Sequence, residues 1–188
     1  MDALINISED WQTAEALMVA YFPRLWTGVD IKGNHYQLKR HNEIVVWDID
    51  WAIYKNNDKV IGAIDTESKP GWTNGPYPYW SVARLCWKYN KGLHNNPIES
   101  MKVQYFRKFP DVTFWMPIRA DYRKAGIITG RKIIESPIHI RPQPKDFARP
   151  IEIFEFDNNE LVFCEVLDHA IENYVINQLN IAGAFDNE

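Results

Sequence analysis

The chain has 188 residues, of which 46% are hydrophobic, 14% aromatic and 24% charged, with a formal net charge of -4. That is enough apolar material for a packed core, so a disordered chain is excluded, and two cysteines outside any CxxC or zinc pattern exclude a disulfide framework or a zinc knuckle. No stretch reaches the roughly 18 apolar residues of a membrane span, and Met1-Asp2 opens no basic, apolar leader, so the sequence predicts an intracellular, cytoplasmic protein with no membrane partner.

Ser8 to Phe22 predicts the first helix: Ser8 caps it, Glu9 and Asp10 suit its first turn, and Pro23 stops it. His35 to Arg40 predicts a short strand. Glu43 to Tyr54 and Val60 to Glu67 predict two longer ones, joined by a Lys-Asn-Asn-Asp-Lys turn whose Asn and Asp residues tolerate positive φ. The stretch after Lys69 is broken by Pro and Gly. Tyr79 to Lys91 then predicts a second helix on a Val82, Leu85, Cys86, Tyr89 stripe. Asp111 to Ile118 and Gly126 to Thr129 predict strands. Ile151 to Phe156 and Leu161 to Glu165 predict a hairpin, and Leu167 to Leu179 a closing helix. The order predicts one mixed α/β fold: residues 1–150 as the α/β core, and residues 151–188 as an acidic hairpin-helix extension packed on the same domain.

Charge follows that division. All 21 Lys and Arg precede position 150, against 16 acids, a net +5, whereas the chain from Ile151 onward has nine acids and no Lys or Arg. A basic surface for nucleic acid, with an acidic appendage, is compatible with this asymmetry. Eight tryptophans suit aromatic contacts to a ligand or a second subunit, so a homo-oligomer is also compatible.

The first long hairpin carries Asp48, Asp50, Asp65, Glu67 and Lys69, all with the parity of one register. A two-residue turn at Asn57-Asp58 puts Asp50 opposite Asp65 and Asp48 opposite Glu67 on one face. A three-residue loop separates the pairs, and a bulge restores either arrangement. Like charges that close repel by about 1 kcal/mol per pair even in water, so the cluster calls for a compensating cation. Mg²⁺ or Mn²⁺, which take oxygen ligands, is the expected cofactor. The bland reading sends two of the acids to solvent at a strand end.

An acid on one strand, a hairpin, and Glu67-Ser68-Lys69 on the next strand, all preceded by a helix, resemble the PD-(D/E)XK nuclease superfamily. The resemblance spans about residues 8–119. It implies a restriction-endonuclease-like α-β-β-β-α-β core and a metal-dependent nuclease acting on DNA. It also implies Asp50 (or Asp48), Asp65 and Glu67 as metal ligands, Lys69 as the cation that orients water or stabilises the phosphate, and Glu15 as a helix-borne acid of the site. Trp47 or Ile49 stands where the family has proline, and Asp65-Thr66-Glu67 is a competing assignment of the second half-motif. Arg119, Arg123, Lys124, Arg131, Lys132 and Arg141 are the candidate nucleic-acid contacts. Trp72, Tyr77, Tyr79 and Trp80 would either stack on a base or pin their own loop.

Two other readings stand beside this one. Asp48-Ile49-Asp50 also fits the paired aspartates of nucleotidyltransferase- or primase-like phosphotransfer, although a Gly-Ser turn at the expected distance is missing. A non-catalytic nucleic-acid-binding or assembly protein on a degenerate nuclease-like fold would have its acids salt-bridged, to Arg84, Lys88 or the basic segment, instead of serving a metal.

Overall fold

The computed structural model describes residues 11–28, 30–31, 34–40, 49–57, 59–73, 75, 77, 80–86, 98–141, 151–166 and 168–186. In chain order the elements are α1 (Trp11–Tyr21), α2 (Pro23–Thr27), β1 (Asp30–Ile31), β2 (Asn34–Arg40), β3 (Trp51–Lys55) and β4 (Lys59–Lys69). There follow β5 (Trp80–Ala83), β6 (Leu85–Cys86), β7 (Ile98–Glu99), α3 (Met101–Lys108), β8 (Thr113–Arg119) and β9 (Lys124–Thr129). The chain closes with α4 (Gly130–Glu135), β10 (Ile138–Arg141), β11 (Ile151–Phe156), β12 (Val162–Glu165) and α5 (Ala170–Ile181). The fold is α/β, built on a mixed sheet of order β1-β2-β3-β4-β8-β9-β12. Every neighbouring pair in it is antiparallel except β4 and β8, which run parallel from Ala63↔Thr113 to Lys69↔Arg119. A parallel pair needs a crossover, and here the connection carries β5, β6, β7 and α3.

Both faces of the sheet are covered. Ile64, Phe114, Met116 and Ile127 face a core closed by Met18 and Tyr21 of α1, Leu25 of α2, and Val175 and Leu179 of α5. The alternate residues Trp115 and Ile128 face a second core with Val103 and Phe106 of α3, Ile133 of α4, and Trp80, Val82, Phe154 and Phe156 of a three-stranded sheet, β10-β11-β5. This period-two alternation is what a sheet buried on two sides requires. Among the described residues no helix is long and apolar enough to cross a membrane.

The β3–β4 hairpin takes one of the alternatives left open by the sequence, a three-residue loop whose register is restored by a bulge. Its loop has three residues, with Lys55 paired to Lys59 and with Asn56 and Asn57 at φ 53° and 69°. A bulge beyond Tyr54↔Val60 leaves Ile61 unpaired and shifts the ladder by one residue, to Ile53↔Gly62 and Trp51↔Ile64. The bulge also lets Ile61 and Ile64, three residues apart, face the same core.

Two expectations fail. Tyr79 to Lys91 is no helix where it is described: Trp80–Ala83 is β5, paired with β11, and Leu85–Cys86 is β6. The helical spacing was real, but Trp80 and Val82 also alternate, and the open edge of β11 takes them as a strand. Ile151–Phe156 and the strand after it do not pair with each other. β11 joins β10 and β5, while β12 becomes the edge strand of the main sheet beside β9. Ser8 and the first part, Glu43 to Asp48, of the strand predicted over Glu43 to Tyr54 lie outside the described residues.

One long-range clasp ties the ends of the fold together. Helix α2 starts at Pro23, which has no N–H, and its N-cap Phe22 makes no side-chain cap. The next two N–H groups, of Arg24 and Leu25, both donate to Oε1 of the buried Glu172 on α5, at 2.8 and 2.9 Å. The Arg24 guanidinium donates to Oε2 at 3.0 Å. A carboxylate from another helix thus does what an N-cap side chain ordinarily does.

Candidate functional site

The site forms on the α3 side of the sheet. Along β4, Ala63, Asp65, Glu67 and Lys69 share a face by period two, opposite Ile64, which enters the other core. One step beyond the ladder pair Trp51↔Ile64, Asp50 comes level with Asp65. The chain bends at Asp50, just before β3, and its Oδ2 accepts hydrogen bonds from Thr66 N (2.9 Å) and Thr66 Oγ1. Glu67 is fixed from two sides: the Trp115 indole N–H donates to Oε2 at 3.0 Å, and the Lys69 ammonium donates to Oε1 at 2.5 Å. That ammonium also stands 4.9 Å from the centre of the Trp115 ring.

Asp65 is the buried member. Its side chain is 5% exposed, and the Lys102 ammonium of α3 donates to its Oδ2 at 2.6 Å. Burial pushes the Asp65 carboxyl up to about 6, against the pull of Lys102, and the charges of Asp50 and Glu67 raise it further. For Lys102, burial disfavours the ammonium, yet Asp65, Glu67 and Asp50 outweigh it and hold the amine more firmly protonated than usual. Asp50, Asp65, Glu67 and Lys102 therefore sense one another as one electrostatic unit. Lys102 was missed in the sequence, where it counts as one base in a basic stretch. The available signal was local: Ser100 caps α3 by accepting from Val103 N, and Val103 and Phe106 make its buried stripe.

The other candidates lie as follows. Asp48 is outside the described residues. Glu15 lines a different pocket, with Trp26, Arg40 and Tyr54. Arg84 is engaged by Glu99 and Glu152, not by the site acids, and Lys88 is outside the described residues. Much of the basic segment is already paired: Arg119 with Asp121, Arg131 with Asp111 and Glu135, Lys132 with Glu160, and Arg141 with Glu155. Lys124 stands 5.8 Å from the Phe163 ring centre, and the Arg123 backbone N–H donates to Asp121. The acidic C-terminal part supplies two of these partners, Glu155 and Glu160. Of the six bases only Arg119 is level with a site residue, Lys69, across β4 and β8, and its guanidinium is turned to Asp121. Trp72 and Trp80 are buried, edge to face, at 5.0 Å, and serve as loop-pinning core rather than as an open stacking platform.

Chemically, the site offers two carboxylates, Asp50 and Glu67, and two ammonium groups, Lys102 and Lys69, around the buried carboxyl of Asp65. The donors are oxygen only, the kind a hard divalent cation takes. Among the described residues, though, no group of three or more His, Cys, Asp or Glu side chains is arranged to hold a metal ion, and each acid has a donor of its own. No family model matches the chain, and no curated protein or solved structure does either.

Proposed function

We propose that the chain is a metal-dependent nuclease that hydrolyses phosphodiester bonds in DNA. The observation that carries this reading is the buried Asp65, level with Asp50 at the bend that leads into β3 and held at 2.6 Å by the Lys102 ammonium. Two acids on neighbouring stretches of a hairpin beside a lysine are the working parts that the PD-(D/E)XK resemblance calls for. With α2, β1 and β5 to β7 set aside as insertions, the elements α1, β2, β3, β4, α3 and β8 follow the α-β-β-β-α-β order of that core, which supports the reading. On this geometry Asp65 is the second acid of the motif and Lys102, arriving from α3, supplies the cation that sequence reading assigned to Lys69. Lys69 and Trp115 then position Glu67.

Asp50, Asp65 and Glu67 are oxygen donors of the kind Mg²⁺ or Mn²⁺ takes, but as placed they are not grouped to hold an ion, so each would have to exchange its present donor for the metal. An ion so held would acidify a water and polarise a phosphoryl oxygen. The chain's own residues do the rest. Thr66 orients Asp50 through two hydrogen bonds. Lys102 and Lys69 place positive charge where the pentavalent phosphate gathers negative charge. Arg119, at the end of β8, contributes charge for the phosphate backbone.

A second reading is favoured by one observation: each acid is already satisfied within the chain, as a site that has given up its metal would be. That reading is a DNA-binding or assembly protein without catalysis. Cleavage assays on single- and double-stranded DNA with Mg²⁺, Mn²⁺ or EDTA separate the two, using wild type, Asp65→Asn, Glu67→Gln and Lys102→Met. The nuclease reading expects metal-dependent cleavage, lowered about 100-fold or more by each substitution. Cleavage that persists in EDTA or ignores the substitutions refutes it, and DNA binding without cleavage establishes the second reading.

A further inference from the structure

A pocket of about 500 Å³ lies against the site, between the β3–β4 hairpin and α3. Its floor is made of small residues, Ala52, Gly62 and Ala63, with Ala52 and Ala63 facing each other across the two strands. Its wall is one stripe of α3, Met101, Gln104, Tyr105 and Lys108, at helical spacings of three and four, continued by Phe109. The size and mixture suit a small planar ligand: mostly apolar walls, two rings, and an amide and an ammonium among the lining groups. Phe109 is 41% exposed, its ring centre is 6.2 Å from that of Tyr105, and the Lys108 ammonium stands 5.1 Å from it.

The acids do not line the pocket, but its lining residues Ile49, Ala63 and Met101 are close neighbours in the chain of Asp50, Asp65 and Lys102. Ala63 and Asp65 are two residues apart on the same face of β4, a separation of about 7 Å, and Met101 of the wall is next in sequence to Lys102. That distance is about one nucleotide step along a strand. The occupant therefore has to be planar and apolar on its faces, polar at its edge, and joined to a phosphate held beside Asp65.

We propose that this pocket receives an unpaired nucleobase from the nucleotide next to the scissile phosphate, stacked on Phe109 and Tyr105 with Lys108 near its phosphate. The inference rests on the nuclease reading and narrows its substrate to DNA that is single-stranded or locally opened, because a base inside a duplex is not free to enter a recess. Ala52 and Ala63 are what keep the recess open; Gly62 lines it with backbone alone, since a Cβ there would meet Leu179 and Ile53 of the opposite core.

The test is direct binding, followed by fluorescence anisotropy, of two labelled single-stranded oligonucleotides of equal length, one all-thymidine and one carrying abasic sites. Both are measured in EDTA and in Ca²⁺. The expected result is a preference of about 5- to 150-fold for the base-bearing strand, the range that one stacked base confers. Tyr105→Ala/Phe109→Ala should abolish that preference while leaving the weak affinity for the abasic strand unchanged. Equal affinity for the two strands, a preference that survives the double substitution, or no binding of either strand in either buffer overturns the proposal. The nuclease reading is scored separately by cleavage: cutting that is equal on base-bearing and abasic strands removes the base pocket and keeps the nuclease, whereas base-dependent binding without cutting does the reverse.

Discussion

Replacing Asp65 by Asn removes one ionisable group from an almost dry position, and the consequence is a slope with pH. In the unfolded chain this carboxyl titrates near 3.8, and in the fold near 6, chiefly because burial penalises its charge. A folded pKa above the unfolded one means that the native state binds the proton more tightly. The stability contributed by that proton is complete below about pH 4 and is lost as pH rises through 6. At 1.36 kcal/mol per pH unit, a rise from 3.8 to about 6 is worth about 3 kcal/mol. Little solvent screening reduces that figure, since the side chain is only 5% exposed.

The asparagine is neutral at every pH, so its stability relative to wild type should improve by about 2.4 kcal/mol between pH 4 and pH 7, most of the full span. Losing the partner of Lys102 adds a penalty of its own, because Asp65 is the first of the charges that hold the buried amine protonated against burial. Urea unfolding of both proteins at half-unit pH steps measures the difference. A flat difference, or one that moves against Asp65→Asn as pH rises, would refute the account of a buried carboxyl strained by its ionisation.

Glu172→Ala should cost about 3 kcal/mol in urea unfolding, because it strands the N–H groups of Arg24 and Leu25 and takes a carboxylate from the Arg24 guanidinium, which keeps Asn173. Asn57→Val should destabilise by about 1–2 kcal/mol, since a β-branched residue resists its φ of 69°, while Asn57→Gly should change little. Cys164 is buried, and burial raises its thiol pKa, so mass-spectrometric mapping should find that peptide alkylated only after unfolding.

How much of this was legible in the sequence depends on what each residue needed to be read. The acids of β4 were legible because a strand's period is fixed: once Val60 to Glu67 is a strand, Asp65, Glu67 and Lys69 must share a face. The register was legible only as alternatives, because a single bulge residue, Ile61, decides it, and bulges have no strong composition. Lys102 was not legible as a site residue. Its role depends on which face of β4 the short helix α3 covers, a matter of crossover and packing rather than of local sequence. The false helix at Tyr79 to Lys91 failed for the same reason, since the deciding fact was the unpaired edge of β11, some seventy residues downstream. The ion pairs that occupy Arg131, Lys132 and Arg141 are likewise tertiary, and charge counting alone had left those bases bare.

The clasp of Glu172 on α2 also has a consequence in time. The groups it joins are 148 residues apart. At ordinary translation rates of about 5–20 residues per second, α2 waits on the order of ten seconds after synthesis before its capping carboxylate exists. Through that interval the N-terminal helices have neither Glu172 nor the Val175 and Leu179 surface against which they pack. A nascent chain stalled before α5 emerges should therefore expose Met18, Tyr21 and Leu25 to solvent and to chaperones. The fold is one that closes from its last helix back onto its first.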